Sequence, residues 1–117
     1  MPHLIFDSSP GLLSDTVKQD LLDQFVAQFS QFETIEAKNV KARFFESSCF
    51  SMGEGAGDSY LHLTISVVEG RSPEVLDHLG RGMHQFLITL LGSAENTQQT
   101  NITLELRQMA KDTYYKN

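Results

Sequence analysis

The sequence predicts an α/β (α+β) fold built from a duplicated β-α-β unit, with a four-stranded mixed sheet and both helices on one face. Two segments carry apolar residues at helical spacing, which is typical of helices that lie on a sheet. Each segment begins at a serine suited to cap a helix, Ser14 in the first and Ser72 in the second. The apolar positions recur at the same offset of 58 residues that separates the two serines, which indicates an internal duplication.

The predicted elements form two strand-helix-strand units within a single domain that spans residues 1–117. The helical stripes consist of Val17, Leu21, Phe25, Phe29 and Phe32, and of Val75, Leu79, Met83, Leu87 and Leu90. The predicted boundaries are strand about 2–8, helix 14–31, strand 40–46, strand 60–68, helix 73–91 and strand 101–108, with pseudo-repeats about 2–46 and 60–108. Strands joined by a helix in this way normally pair in parallel. Gly92 is predicted to end the second helix in a left-handed conformation.

Composition argues against several classes of partner. The net charge is −6 and the nine Lys and Arg residues are scattered, whereas binding to nucleic acid rests on clustered basic residues. No apolar run approaches the roughly 20 residues that span a bilayer, so we expect no membrane partner. Cys49 is the single cysteine, which excludes an intrachain disulfide, and the start MPHLIFDSSP has no export signal. We therefore expect a cytoplasmic protein.

Pro2 is the sharpest candidate for chemistry. Once Met1 is removed, Pro2 carries a free secondary amine, whereas the other prolines in the chain are acylated. An ordinary α-amino group has a pKa of about 7.7 to 8.0, and burial or nearby cations lower it. Pro2 could therefore act as a general base near neutral pH. The alternative is that proline at this position merely permits the removal of Met1.

Three basic residues could bind an acid beside such an amine. Lys41 and Arg43 alternate along a predicted strand, so their side chains project to the same face. Arg71 precedes the second helix, whose N-terminus also attracts anions. These positions predict a carboxylate site, and the alternative at each is a solvated surface charge.

A glycine-rich segment, SSCFSMGEGAGD from Ser47 to Asp58, joins the two units and contains one aromatic residue, Phe50. It could close over a site or only turn the chain, and it lacks the Lys-Ser/Thr pair of a phosphate-binding loop. The histidines at 3, 62, 78 and 84 include no pair at the i, i+4 spacing of a familiar zinc site, so we predict no metal.

The chain resembles one family over nearly its whole length, and the resemblance rests on four segments. They are the start Met1-Pro2-His3, KARFF at 41–45, YLHLTISVVEGRS at 60–72 and ITLEL from Ile102. They resemble the tautomerase superfamily and, within it, the 5-carboxymethyl-2-hydroxymuconate Δ-isomerases. The resemblance implies an isomerase that moves a proton along an unsaturated keto or enol acid without a metal or organic cofactor. It also implies a homotrimer with sites near the subunit interfaces.

The resemblance also implies roles for particular residues. Pro2 would be the proton carrier, while Lys41, Arg43 and Arg71 would bind substrate carboxylates and Phe50 would form a pocket wall. Lys41 stands where the relatives have Arg. Lysine keeps the charge but cannot make the bidentate hydrogen bonds of arginine, so the identity of the substrate stays open. Two alternatives stay open as well. One is a non-catalytic oligomeric binding or scaffold module of the same fold, and the other is phenylpyruvate tautomerisation or haloacrylate dehalogenation.

Overall fold

Two strand-helix-strand units form a four-stranded sheet that both helices cover on one face. The computed structural model describes residues 1–32, 34–92 and 100–117. The helices and strands are, in chain order, β1 (His3–Ser8), α1 (Asp15–Phe29), β2 (Lys41–Glu46), β3 (Ser59–Val68), α2 (Pro73–Gly92) and β4 (Thr100–Met109). Each bound lies within two residues of the predicted one.

Both helices begin at the predicted serines. The Ser14 hydroxyl accepts a hydrogen bond from the Val17 amide at 3.3 Å, and the Ser72 hydroxyl accepts one from the Val75 amide at 3.2 Å. Each serine thus satisfies a backbone N–H that has no partner within its helix. The two capped positions differ by the same 58 residues as the caps themselves. In the described ranges, no helix is long and apolar enough to cross a membrane.

The strands lie in the order β2-β1-β3-β4, which makes the predicted mixed sheet. β1 pairs with β2 and β3 pairs with β4 in parallel, whereas the central pair β1 and β3 is antiparallel. The start of β1 therefore lies beside the start of β2 and the ends of β3 and β4. We call this edge, marked by His3, Lys41, Val68 and Met109, the proline end of the sheet.

Side chains alternate between two very different faces of the sheet. Leu4 and Phe6 of β1 point into the core, as does every second residue along β3. The Phe6 ring packs edge-on against Phe25 of α1, with 5.1 Å between the ring centroids. No described helix packs on the other face, which carries His3 and Arg43 and which we call the open face. The core thus fixes the register of β1, and with it the position of Pro2.

The glycines of α2 differ in their surroundings. A Cβ on Gly82 would lie 3.2 Å from Cζ of Phe32, whereas one on Gly80 would meet only Leu106 Cδ2 at 3.9 Å. Close packing against the Phe32 ring therefore accounts for Gly82. The prediction of a left-handed stop at Gly92 is wrong, because Gly92 is the last residue of α2 and its φ lies outside the left-handed region.

Candidate active site

Pro2 is buried at the proline end of the sheet, where its carbonyl accepts a hydrogen bond from the Lys41 amide at 3.0 Å. A cavity of about 160 Å³ opens beside it and brings Pro2 and Arg71 together. Its lining consists of Met1, Pro2, Thr34, Glu36, Asn39, Val67, Val68 and Arg71. We call it the Pro2 cavity.

The guanidinium of Arg71 is held in place by uncharged groups. Its Nε donates to the Thr34 hydroxyl at 2.9 Å, and its terminal nitrogens donate to the carbonyls of Val68 at 3.0 Å and Thr34 at 3.3 Å. The preceding Gly70 has φ +128°, a conformation that favours glycine and turns the chain between β3 and α2. No carboxylate in the described part of the chain pairs with Arg71, so its charge is not neutralised there.

The amine next to Pro2 is partly buried and lies near three cations. Burial lowers the pKa of the Met1 amine, and the charges of Lys116, Lys41 and Arg71 lower it further. Because the Met1 amine is only one residue from the Pro2 nitrogen, the same cations will act on the Pro2 amine once Met1 is removed. The structure thus brings two of the three predicted cations, Lys41 and Arg71, near the predicted base.

Arg43 is placed differently, on the open face. Its Nη1 donates to Nδ1 of His3 at 3.1 Å, and Nε2 of His3 lies 2.9 Å from the hydroxyl of Tyr114. Lys41 and Arg43 do share a face of β2, since they pair with His3 and Ile5 of β1. However, Arg43 does not line the Pro2 cavity and reaches its neighbourhood through His3.

Phe50 lies at the opposite end of the sheet. Its ring is 42% exposed and sits 6.1 Å from the ring of Tyr60, whose amide is hydrogen-bonded to the Ser9 hydroxyl. At about 3.3 Å per residue, the length of β1 separates this end from Pro2 by roughly 20 Å. Within one chain, therefore, Phe50 does not line the Pro2 cavity, and it can form a wall only for the site of another subunit.

Two further histidines contact neighbouring side chains. His62 is hydrogen-bonded to the Thr103 hydroxyl at 2.6 Å, and the ring of His78 meets Phe32 edge-on at 5.6 Å. Across residues 1–32, 34–92 and 100–117, no three His, Cys, Asp or Glu side chains are grouped as they would be to hold a metal ion.

The sequence analysis missed three residues at this site, namely Thr34, Tyr114 and Lys116. Thr34 orients Arg71, while Tyr114 and Lys116 belong to the segment that follows β4. The position of the two residues after β4 depends on the topology of the sheet. Since β4 is parallel to β3 and β3 is antiparallel to β1, the residues after β4 emerge at the start of β1.

Comparison with known families identifies the family to which this chain belongs. A family model described as 5-carboxymethyl-2-hydroxymuconate isomerase matches residues 2–117. The chain belongs to this family. A search of curated proteins finds no match.

Solved structures of two 5-carboxymethyl-2-hydroxymuconate isomerases and of a fused 4-OT trimer share the fold. An isomerase of this name from Deinococcus radiodurans R1 has a TM-score of 0.81 at 19% identity, over 99% of this chain and 88% of that chain. A 5-carboxymethyl-2-hydroxymuconate delta-isomerase has a TM-score of 0.82 at 15% identity, over 100% of this chain and 87% of that chain. A fused 4-OT symmetric trimer has a TM-score of 0.71 at 15% identity, over 98% of this chain and 93% of that chain. These likenesses show the fold alone, whereas membership of the family supports an isomerase or tautomerase function.

Proposed function

We propose that this member of the 5-carboxymethyl-2-hydroxymuconate isomerase family is a cofactor-independent isomerase with Pro2 as its general base and acid. Its substrate would be an unsaturated enol (di)carboxylic acid such as 5-carboxymethyl-2-hydroxymuconate. One observation carries the proposal. Buried Pro2 shares a cavity with Arg71, and burial together with the surrounding cations lowers the pKa of the adjacent Met1 amine.

The reaction needs a base that is neutral near pH 7 and returns the proton it removes. Neutral Pro2 takes a proton from the dienol acid, which becomes a dienolate, and the protonated amine then gives that proton to a different carbon as the double bonds rearrange. The amine ends neutral, so protons and electrons balance within one turnover. The cations disfavour a protonated resting amine and stabilise the negative charge of the dienolate. No step draws on a metal or an organic cofactor.

Two of the three cations near the amine, Arg71 and Lys41, suit a substrate with two acidic groups. The fixed guanidinium of Arg71 can donate to one carboxylate at the cavity, while Lys41, at the start of β2, offers a mobile point charge to the other. Arg43, which the sequence analysis also assigned to the carboxylates, supports this site through His3.

A homotrimer would complete the site. The Pro2 cavity of about 160 Å³ is smaller than the roughly 300 to 1,000 Å³ of typical small-molecule sites. Among the described strands, β2 and β4 are the unpaired edges of the sheet, and the open face exposes 55% of Phe45. A neighbouring subunit on these surfaces could supply Phe50 as the missing wall. Sedimentation equilibrium should give three times the chain mass of 13.1 kDa, and a fully active monomer would contradict the trimer.

Intact mass and a substrate panel test the proposed function. Mass spectrometry should show that Met1 is absent, because a retained Met1 acylates the Pro2 nitrogen and abolishes the basic amine. The panel contains 5-carboxymethyl-2-hydroxymuconate, the enol of phenylpyruvate and 3-chloroacrylate, and we expect the diacid to have the highest kcat/KM. Preference for another compound would indicate a different tautomerase reaction. Retained Met1 with no turnover would instead favour a non-catalytic oligomeric module.

A further inference from the structure

The segment after β4 returns to the start of β1. A short 3₁₀ helix, Lys111–Thr113, is fixed because the Lys111 amide donates to a carboxylate oxygen of Glu69 at 2.5 Å. The next residue is Tyr114, which is half-buried. Its ring packs edge-on against His3 at 6.1 Å, and its hydroxyl is 2.9 Å from Nε2 of His3. Tyr114 is therefore held against the residue that follows Pro2.

The hydrogen bonds of His3 have a defined direction. A guanidinium can only donate, so Nδ1 of His3 must accept from Arg43 and cannot carry a proton. Burial lowers the pKa of His3, and the charges of Arg43, Lys41 and the Met1 amine lower it further, which agrees with a neutral ring. The one ring proton then lies on Nε2 and is donated to the Tyr114 oxygen. With that oxygen accepting from His3, the Tyr114 hydroxyl proton is available to a third group.

The third group is the carbonyl oxygen of Met1, which lies 3.5 Å from the Tyr114 hydroxyl. That carbonyl is the one that acylates the Pro2 nitrogen. Removal of Met1 therefore removes the acceptor and frees the Pro2 amine in the same event. In the processed protein, the Tyr114 hydroxyl has lost this acceptor, so its proton is free for another group beside the amine.

We propose that Tyr114 is a further catalytic residue, which donates a hydrogen bond to the enol or enolate oxygen of the substrate while Pro2 moves the proton. Tyr114 keeps its own proton throughout, and its hydrogen bond strengthens as negative charge develops on the oxygen. His3 and Arg43 are positioning residues that set the direction of this donor. The inference rests on the proposed function and deepens it, since it requires a substrate with a 2-hydroxy or 2-oxo group.

The test compares Tyr114→Phe with Tyr115→Phe in the processed protein, with 5-carboxymethyl-2-hydroxymuconate and the enol of phenylpyruvate as substrates. Tyr114→Phe should lower kcat roughly a hundredfold, the effect of removing one donor to a developing oxyanion. Tyr115 is 86% exposed and is the matched control, whose kcat should be unchanged. Mass spectrometry and thermal melting confirm that each variant is processed and folded.

Two further variants separate the possible outcomes. Pro2→Ala reports on the proposed function. If that variant loses activity while Tyr114→Phe keeps it, Tyr114 has no catalytic role although the proposed function stands. If the unsubstituted protein has no turnover, the proposed function fails and the role of Tyr114 fails with it. His3→Phe should lower kcat rather than raise KM, and combined with Tyr114→Phe it should cause little further loss, because both remove one donor. Additive losses would overturn the positioning role of His3.

Discussion

The guanidinium of Arg71 is bound to Thr34 twice, through the threonine hydroxyl at 2.9 Å and its carbonyl at 3.3 Å. Thr34 is an uncharged partner, and it lines the same cavity as Pro2. This contact orients Arg71 without neutralising it, which is the arrangement that a carboxylate-binding arginine needs.

Replacement of Arg71 tests its role in binding the substrate acid. Arg71→Ala should lower kcat/KM for diacids about ten- to hundredfold, since a charged hydrogen bond contributes about 1.5 to 3 kcal/mol. Thr34→Val keeps the charge but removes one orienting bond, so we expect a smaller loss, about three- to tenfold. Steady-state kinetics measures both. Arg81→Ala is the control, because Arg81 is an exposed arginine of α2 paired with Asp77, and it should retain full kcat/KM. Wild-type kinetics for Arg71→Ala would remove Arg71 from the site.

The cations near the amine should control the pH at which the protein becomes active. A base must be neutral, so kcat/KM should rise with pH through the pKa of the Pro2 amine. Lys41 and Lys116 lower the pKa of the amine at this position, so Lys41→Met and Lys116→Met should each move the rising limb to higher pH. The pH dependence of kcat/KM measures this shift. Lys111→Met, at an exposed lysine before Tyr114, should leave the limb in place, and an equal shift in this control would contradict the assignment.

His3 should titrate below its ordinary value in the folded protein. Burial is the largest cause, followed by the charge of Arg43, so Arg43→Met should raise the pKa of His3. Proton NMR of the imidazole measures the pKa of His3 in the unsubstituted protein and in Arg43→Met. Below the ordinary pKa of about 6.5, the unfolded chain binds the His3 proton more readily than the folded protein does. The free energy of unfolding should therefore fall as the pH is lowered below this value. His3→Phe should remove that part of the pH dependence. An unchanged His3 pKa in Arg43→Met would contradict the contact.

Two glycines of α2 provide a matched pair for stability. Gly80→Ala should raise the free energy of unfolding by about 1 kcal/mol, because alanine favours helix and its Cβ would meet only an ordinary contact with Leu106. Gly82→Ala should gain less or lose stability, since its Cβ would lie 3.2 Å from the Phe32 ring. Denaturant unfolding at equal protein concentration compares them. A larger gain for Gly82→Ala would show that Phe32 moves aside without cost.

The sequence was sufficient to predict the fold because its signals are local. Ser14 and Ser72 each precede an apolar stripe, and both cap their helices as expected. Alternation along the strands then selects one buried face. The left-handed conformation predicted for Gly92 was wrong because a glycine at the last position of a helix can keep a helical φ.

The site was only partly predictable, since its contacts join residues far apart in the chain. Proximity of Lys41 to Pro2 follows from parallel pairing of β1 and β2, which the strand-helix-strand pattern indicates. The contact between His3 and Tyr114 spans 111 residues and depends on how the two units pair across β1 and β3. No periodicity within either unit contains that information. By contrast, the position of Phe50 at the other end of the sheet follows from that same parallel pairing, because Phe50 comes after the end of β2.

The central claim is that the amine of Pro2 carries the proton. The most direct test is the kcat/KM of Pro2→Ala for 5-carboxymethyl-2-hydroxymuconate at neutral pH, after mass spectrometry has shown that Met1 is absent. Alanine leaves a primary amine in place of the secondary one, so base strength and geometry change while the surrounding cations remain. We predict a fall of roughly a hundredfold, within the range that general bases contribute. A kcat/KM equal to that of the unsubstituted protein would contradict the claim.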